Sequence, residues 1–250
     1  MVVLKIWKRS YYFDNLWSKC CQRGFKNNQN IEKIYIDFNR VKKEKYKEII
    51  DLANLLKIPL QKTKKSYIDK LTKTSKNQGI CAIISKINFI DYRKLIENIA
   101  KKKSYGLILD SITDPQNLGL IIRSLVAFKG EGLILNKKNS PPINEVVIKS
   151  SSGSIFHTNI SKVENFENVI KVAKSLKLKI YALETGGKDI RKFKINLPAL
   201  FIVGSEGKGV SKELIKCSDE ILTIPMDDKI PSLNVACATS ILCWEVFKNF

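Results

Sequence analysis

The stretch Leu200-Phe201-Ile202-Val203-Gly204-Ser205-Glu206-Gly207-Lys208-Gly209-Val210 opens with four apolar residues and runs into a glycine-rich turn. Four apolar residues without alternation, cut off by glycine, read as a strand buried on both faces, which is the habit of parallel sheets. Working outward, comparable runs occur at Gly106 to Leu109, Gly132 to Leu135, Ile180 to Leu183 and Ile221 to Ile224, with helical patterns between them. Residues 105–250 are therefore expected to form an α/β domain, a parallel sheet covered by helices.

Ligands of such sheets lie beyond the carboxyl ends of the strands. The turn after Val203 has no Gly-Lys-Ser or Gly-Lys-Thr, which excludes a phosphate-clamping P-loop, and Gly207-Lys208-Gly209 lacks the third glycine of a dinucleotide fingerprint. Two readings stay open for it: a loop that admits a ligand against bare backbone, or an ordinary tight turn. Glu206 would repel phosphate and suit an arginine or a cationic cofactor. After Leu109 comes Asp110-Ser111-Ile112-Thr113-Asp114-Pro115-Gln116-Asn117-Leu118-Gly119, then a helix pattern that holds Arg123. Asn117 suits a helix cap, and Arg123, one and a half turns on, is placed to meet a phosphate or is a plain surface charge. A third segment, Ile224-Pro225-Met226 through Ser232-Leu233-Asn234-Val235, leads into the last helix, which Ser232 or Asn234 can cap.

Upstream, Lys33 to Ile36 reads as a strand, Lys42 to Leu56 as a helix, Ile58-Pro59-Leu60 as an extended piece, Tyr67 to Leu71 as a short helix and Ile80 to Ile84 as a buried strand. This is a small α/β module over residues 26–99. The lysines Lys101-Lys102-Lys103 make residues 100–104 a candidate linker or a solvated helix end. Of the formal charge of +20, residues 1–104 carry 25 Lys/Arg against 9 Asp/Glu, and residues 105–250 carry 19 against 15. A lysine-rich front attracts polyanions without reading sequence, so nucleic acid is the expected class of partner, although an AT-rich gene also yields Lys, Ile and Asn in abundance. The six cysteines form no CxxC pair and no His/Cys cluster at metal-ligand spacing, so reduced, packed thiols and no metal are expected. His157 is the only histidine, and no nucleophile elbow surrounds it. No run approaches the roughly 18 apolar residues of a membrane helix, and a cytoplasmic protein is expected.

Together and in order, Asn117-x-Gly119-x-x-x-Arg123, Gly204-Ser205-Glu206-Gly207-x-Gly209 and Ile224-Pro225-Met226 followed by Ser232-Leu233-Asn234-Val235 resemble the three signature motifs of the SpoU, or TrmH-like, RNA 2'-O-methyltransferases of the SPOUT superfamily. The resemblance covers residues 105–250. It implies a deep trefoil knot in the C-terminal domain, against the general rule for folds, and a homodimer that brings the first motif of one subunit near the donor of the other. S-adenosylmethionine would lie in the knot against Gly204, Ile224 and Leu233, with Met226, Gly207 and Gly209 beside it. Arg123 would clamp the phosphate next to the target ribose, since a guanidinium holds its proton too firmly to serve as a base. Asn117, Glu206, Ser232 and Asn234 would orient it and the ribose. The front module, with Asn77-Gln78-Gly79-Ile80-Cys81-Ala82, resembles the ribosomal-protein (L30e-like) substrate-binding domain of the branch that methylates a guanosine of large-subunit rRNA. Two further readings are a tRNA methyltransferase and a non-catalytic RNA-binding or ribosome-assembly protein on the same scaffold.

One segment departs from that family. Its members open on Tyr-Gly-x-x-Ala-Val-x-Glu-Ala-Leu, where this chain has Leu16-Trp17-Ser18-Lys19-Cys20-Cys21-Gln22-Arg23-Gly24-Phe25. A permitted coding of these ten residues, CTA TGG TCG AAA TGC TGT CAA AGA GGC TTT, read one base later into a following A, gives Tyr-Gly-Arg-Asn-Ala-Val-Lys-Glu-Ala-Leu. Residues 1–25 are thus expected to be a frame-shifted tract in which Trp7, Trp17, Cys20 and Cys21 have no evolved role. Resequencing the gene is expected to find a single-base error here and another in the A-rich codons of Lys26-Asn27-Asn28. An error-free read, with an intact-protein mass matching this chain, would refute the frameshift.

Overall fold

The computed structural model describes residues 2–3, 31–39, 41, 44–73, 75, 77, 79–84 and 87–248. The tract expected to be frame-shifted lies outside them, apart from Val2 and Val3. In chain order the strands are β1 (Val2–Val3), β2 (Ile31–Asp37), β3 (Leu60–Thr63), β4 (Ile80–Ile84), β5 (Tyr105–Leu109), β6 (Gly132–Asn136), β7 (Asn159–Val163), β8 (Lys179–Asp189), β9 (Ala199–Val203) and β10 (Glu220–Thr223). The α-helices are α1 (Lys47–Leu55), α2 (Lys65–Thr72), α3 (Tyr92–Lys102), α4 (Pro115–Ala127), α5 (Glu145–Ser150), α6 (Glu167–Ser175), α7 (Lys212–Cys217) and α8 (Val235–Phe247). They fall into two units, residues 1–87 with 143–157, and residues 88–142 with 158–250.

The first unit holds the sheet β1-β4-β2-β3, in which β2 pairs β3 in parallel and β4 antiparallel. Alternate side chains of β2 point to opposite faces. Ile34 and Ile36 pack with Ile49 and Ala53 of α1, while Tyr35 faces Ile68 of α2 and Cys81. Asn77, which the sequence motif singled out, is a buried clasp between α2 and β4. Its Nδ2 donates to Asp69 Oδ1 at 2.6 Å and to Thr72 Oγ1 at 3.0 Å, and its Oδ1 accepts the Gly79 N–H at 3.0 Å. The Lys65 ammonium on Asp69 holds that carboxyl below its ordinary pKa.

The second unit is a six-stranded sheet of order β10-β8-β9-β5-β6-β7, parallel at every pairing. Its central strands are covered on both faces, as unbroken apolar runs demand. On one face Ile108, Ile134, Ile180, Leu200 and Ile202 pack against α3, α6 and α7. On the other, the Phe201 ring stacks on Tyr181 at 5.2 Å and meets Tyr105 edge-on at 5.9 Å. Tyr105 donates its hydroxyl to the Phe128 carbonyl at the end of α4.

The structure departs from the sequence reading at four points. Of the two readings of residues 100–104 the helix end holds and the linker does not: α3 carries Leu95, Ile96 and Ile99 into the core of the second unit, Lys101 and Lys102 form its last turn, and Lys103 caps it in the left-handed region. The division accordingly falls at residues 87 and 88, not at 99. Strand β7, Asn159-Ile160-Ser161-Lys162-Val163, lies at the sheet edge and has no apolar run to announce it. Strand β8 extends six residues beyond the apolar run Ile180 to Leu183.

Phe201 is 1 % exposed, so its removal leaves a cavity between two aromatic neighbours. Phe201→Ala is expected to cost about 3–5 kcal/mol, read as an earlier urea transition of the second unit. A loss below about 1 kcal/mol would contradict this packing.

Candidate functional site

Beyond the carboxyl ends of β5, β8, β9 and β10, three chain segments converge. The turn after β9 closes on itself. A Cβ on Gly204 would lie 2.0 Å from the carbonyl carbon of Gly209, so these residues touch backbone to backbone. The Gly209 N–H donates to the Ser205 carbonyl at 2.9 Å. Gly209 sits at φ +66°, where side chains are disfavoured, and a Cβ there would meet Glu184 Oε2 at 2.2 Å. Gly207 differs, because nothing stands within 4 Å of its Cβ direction. Two of the three glycines are thus demanded by sterics and one leaves open space.

Three carboxylates fix this turn and the segment before α8. Asp110, at the end of β5, accepts the Ser211 N–H on Oδ2 at 2.8 Å. Glu184 accepts the Val210 N–H on Oε2 at 2.8 Å. Glu206 accepts the Val235 N–H on Oε1 at 3.2 Å. Glu184 reaches its place through an excursion in β8. Ile221 of β10 pairs with Ala182, and the next residue, Leu222, pairs with Lys188, so residues 183–187 bulge out. The Thr223 hydroxyl ties the bulge, donating to the Glu184 carbonyl at 2.5 Å and accepting the Gly187 N–H at 2.6 Å.

The three sequence motifs meet at Glu206. Its Oε1 accepts from Asn117 Nδ2 at 3.1 Å and from Asn234 Nδ2, while Asn234 Nδ2 also donates to Asn117 Oδ1 at 3.1 Å. Among the described residues, Oε2 of Glu206 takes no hydrogen bond. Asn234 is also the cap of α8, its Oδ1 accepting from Ala236 N and Cys237 N, so one side chain both caps the helix and joins the Glu206 cluster. Ser232 is not that cap; it is exposed and lines a cavity. Asn117 is not the cap of α4 either. Asp114 caps it, accepting from Gln116 N and Asn117 N, and Pro115 takes the first helical position. Arg123 stands apart: it is exposed on α4 and lines neither cavity described below. It lies eight residues into the helix, about 12 Å from its start. His157, exposed, lines neither cavity.

Two cavities adjoin across the turn. The first, about 540 Å³, has apolar walls from Leu183, Ile224 and Leu233 and backbone from the glycine turn. Gly204, Gly207, Gly209, Ile224, Met226 and Leu233, the six residues expected around a cofactor, all line it. The second, about 520 Å³, is lined by Ser111 to Asp114, Asn117 and Asn139. Ser205 to Lys208 and Val235 belong to both, so Glu206 stands in the shared wall. Asp110, Glu184 and Thr223 were missed in the sequence; an acidic residue directly after an apolar run, and the Gly186-Gly187 pair that interrupts β8, were the available signals.

This arrangement has counterparts. The model of the SpoU rRNA methylase family matches residues 104–244. The chain belongs to this family. It is accordingly an S-adenosylmethionine-dependent RNA methyltransferase. A second model, for RNA 2'-O ribose methyltransferase substrate binding, matches residues 19–90. Similar proteins include one of Staphylococcus saprophyticus named for the TrmH family of tRNA/rRNA methyltransferases, 34 % identical over 88 % of each chain. Another is an uncharacterized tRNA/rRNA methyltransferase of Borreliella burgdorferi, 35 % identical over 82 % of this chain and 94 % of its own. The fold is that of the SpoU methyltransferase AviRb of Streptomyces viridochromogenes, solved in complex with AdoMet, at TM-score 0.76 and 18 % identity over 92 % of this chain and 87 % of that one.

The glycines separate by cause, and their substitutions are expected to separate as well. Gly204→Ala should abolish measurable S-adenosylmethionine binding by calorimetry, because the turn cannot close around a methyl group 2.0 Å from backbone. Gly207→Ala should fold normally and bind within a few-fold of wild type. Equal behaviour of the two would contradict the closed turn.

Proposed function

We propose that the protein transfers a methyl group to the 2'-hydroxyl of an RNA ribose, with the donor in the first cavity and the ribose at the Asn117–Glu206–Asn234 cluster. The observation that carries this is the shared wall, which brings two cavities to opposite sides of one carboxylate. The first cavity suits the donor. Its volume, about 540 Å³, lies within the roughly 300–1,000 Å³ of small-molecule sites. Apolar walls suit a nucleobase and thioether stem, bare backbone suits base-edge hydrogen bonds, and Glu184, Glu206, Lys208 and Lys212 offer both signs of charge to a zwitterion with a sulfonium.

When bound, the donor supplies an electrophilic methyl carbon on a positively charged sulfur. The chain does the rest by positioning. Glu206 Oε2, free of other partners among the described residues, accepts the hydrogen bond of the 2'-hydroxyl, aims the oxygen and would take up its proton as the methyl carbon leaves the sulfur for the oxygen. Asn117, Asn234 and the Val235 N–H fix the carboxylate through its other oxygen. Ser232 helps to orient the ribose from the segment before α8. The walls formed by Leu183, Ile224 and Leu233 keep the reacting centre poor in water, which favours a step in which charge disappears.

Arg123 acts as a phosphate clamp in the site of a second subunit. The support for a homodimer is a row of exposed apolar side chains on α4 and α8, Leu120, Ile241 and Trp244, beside a Ser124–Ser240 hydroxyl contact of 2.7 Å. Arg123 lies three residues from Leu120, on the same face of α4. The knot enters here as well: β9 lies between β5 and β8, and the segment after β10 returns to Glu206 of the turn that follows β9, as a threaded C-terminus requires. The front unit, an L30e-like RNA-binding domain in this reading, selects structured RNA, with a guanosine of large-subunit rRNA as the target. The lysine excess of residues 1–104 supports RNA contact.

Glu206→Gln is expected to keep donor affinity and lose at least tenfold in methyl transfer to ribosomal RNA, as one hydrogen bond to a charged group is worth about 1.5–3 kcal/mol. Arg123→Ala should keep donor affinity, weaken RNA binding and lower the salt slope of that binding by about one. Full methylation with only RNA affinity lost leaves Arg123 a clamp and not a base; full retention of both removes it from the site.

A further inference from the structure

The charges that line the second cavity do not suit a phosphate. Asp114 and Glu206 bring two carboxylates against the single ammonium of Lys208. What it offers instead is a set of neutral hydrogen-bonding groups. The Ser111 backbone sits at φ +59°, a left-handed position uncommon for a residue with a side chain. Its hydroxyl donates to Asp110 Oδ1 at 3.1 Å, while the other Asp110 oxygen holds the Ser211 N–H. The lone pairs of the Ser111 hydroxyl are therefore its remaining capacity, and its position is tied to the carboxylate that fixes the glycine turn. Asn139 is placed through its backbone: Lys138 N and Asn139 N both donate to Asn136 Oδ1, and Asn136 Nδ2 is held by the Glu164 carbonyl at 2.9 Å. Among the described residues the Asn139 side-chain amide takes no hydrogen bond, so its donor and acceptor both remain free at the cavity wall. Thr113 adds an exposed hydroxyl to the same lining.

A primary amide displays a donor and an acceptor side by side, the arrangement that pairs with two adjacent atoms of a nucleobase edge. An enzyme that must reach an atom of one nucleotide in structured RNA gains by taking that nucleotide out of its stack and reading its base in a separate pocket. We infer that the second cavity is the seat of the target nucleotide's base, and that Asn139, with Ser111 and Thr113, determines which base is accepted. This rests on the methyl-transfer reading above. It adds residues that neither the three motifs nor the Glu206 cluster contain.

The test uses the full chain as wild type, Asn139→Ala and Ser111→Gly; the glycine relaxes the positive φ while removing the hydroxyl, so loss of fold does not confound it. Each is given labelled S-adenosylmethionine and total RNA from cells that lack the enzyme. The RNA is then digested, and the four 2'-O-methylnucleosides are quantified. Donor affinity is measured separately by calorimetry. The expected result is donor affinity within twofold of wild type for both variants, kcat/KM for RNA at least tenfold lower for Asn139→Ala, and a larger share of the minor methylnucleosides. Wild-type kcat/KM and an unchanged nucleoside pattern in both variants would overturn the inference. So would a tenfold loss of donor affinity, which would place these residues in the donor turn. A wild type that binds donor and methylates no RNA would fail the methyl-transfer reading itself, and this inference with it.

Discussion

A backbone N–H aimed at a carboxylate is a strong and directional restraint, and the second unit depends on three of them. Asp110, Glu184 and Glu206 each take one N–H, from Ser211, Val210 and Val235. The carboxylates come from the end of β5, the bulge of β8 and the turn after β9. The amides belong to the two segments that carry the glycine turn and the start of α8. Irregular backbone leaves peptide groups that must find partners. Here the partners are charged carboxylates, and hydrogen bonds to them are stronger than those between neutral groups. The cavities on either side of the turn owe their shape to that restraint.

Charge is distributed unevenly along the chain. Lysine excess is concentrated ahead of residue 105, while the carboxylates that take the three N–H groups all lie after it. A field that attracts a polyanion needs only number and exposure. The methyl transfer proposed above needs direction instead, and in that reading direction comes from hydrogen bonds on the oxygens of Glu206 and Asn234. Long-range attraction and short-range aim are thus assigned to different parts of the chain.

Much of this was legible in the residues because the reasons were local. Strands β5, β6 and β9 announce themselves as apolar runs since both their faces are buried. The meeting of Asn117, Glu206 and Asn234 was anticipated only as a shared role, through the family resemblance. Where the reasons were tertiary, reading failed. Strand β7 pairs on one side only and keeps Ser161 and Lys162 in its middle, so no run marks it. The lysines after Ile99 look like a linker until the apolar face of α3 is seen to belong to the second core. Glu184 could not be found because its importance arises from a bulge that exists only when β10 lies alongside β8. The cap of α4 was a different failure: Asp114 before Pro115 is a plain start signal, and Asn117 drew attention away from it.

The wall from Ser205 to Lys208 has one ligand cavity on each side, and such a partition obeys thermodynamic reciprocity. Whatever factor an occupant of one side imposes on affinity at the other, the second occupant imposes on the first. With donor and ribose on the two sides as proposed, methyl transfer removes a positive charge from one side and adds a methyl group to the other, against the same four residues. In the proposed assignment both changes meet the same wall, so any effect of one product on the affinity of the other is returned in equal measure.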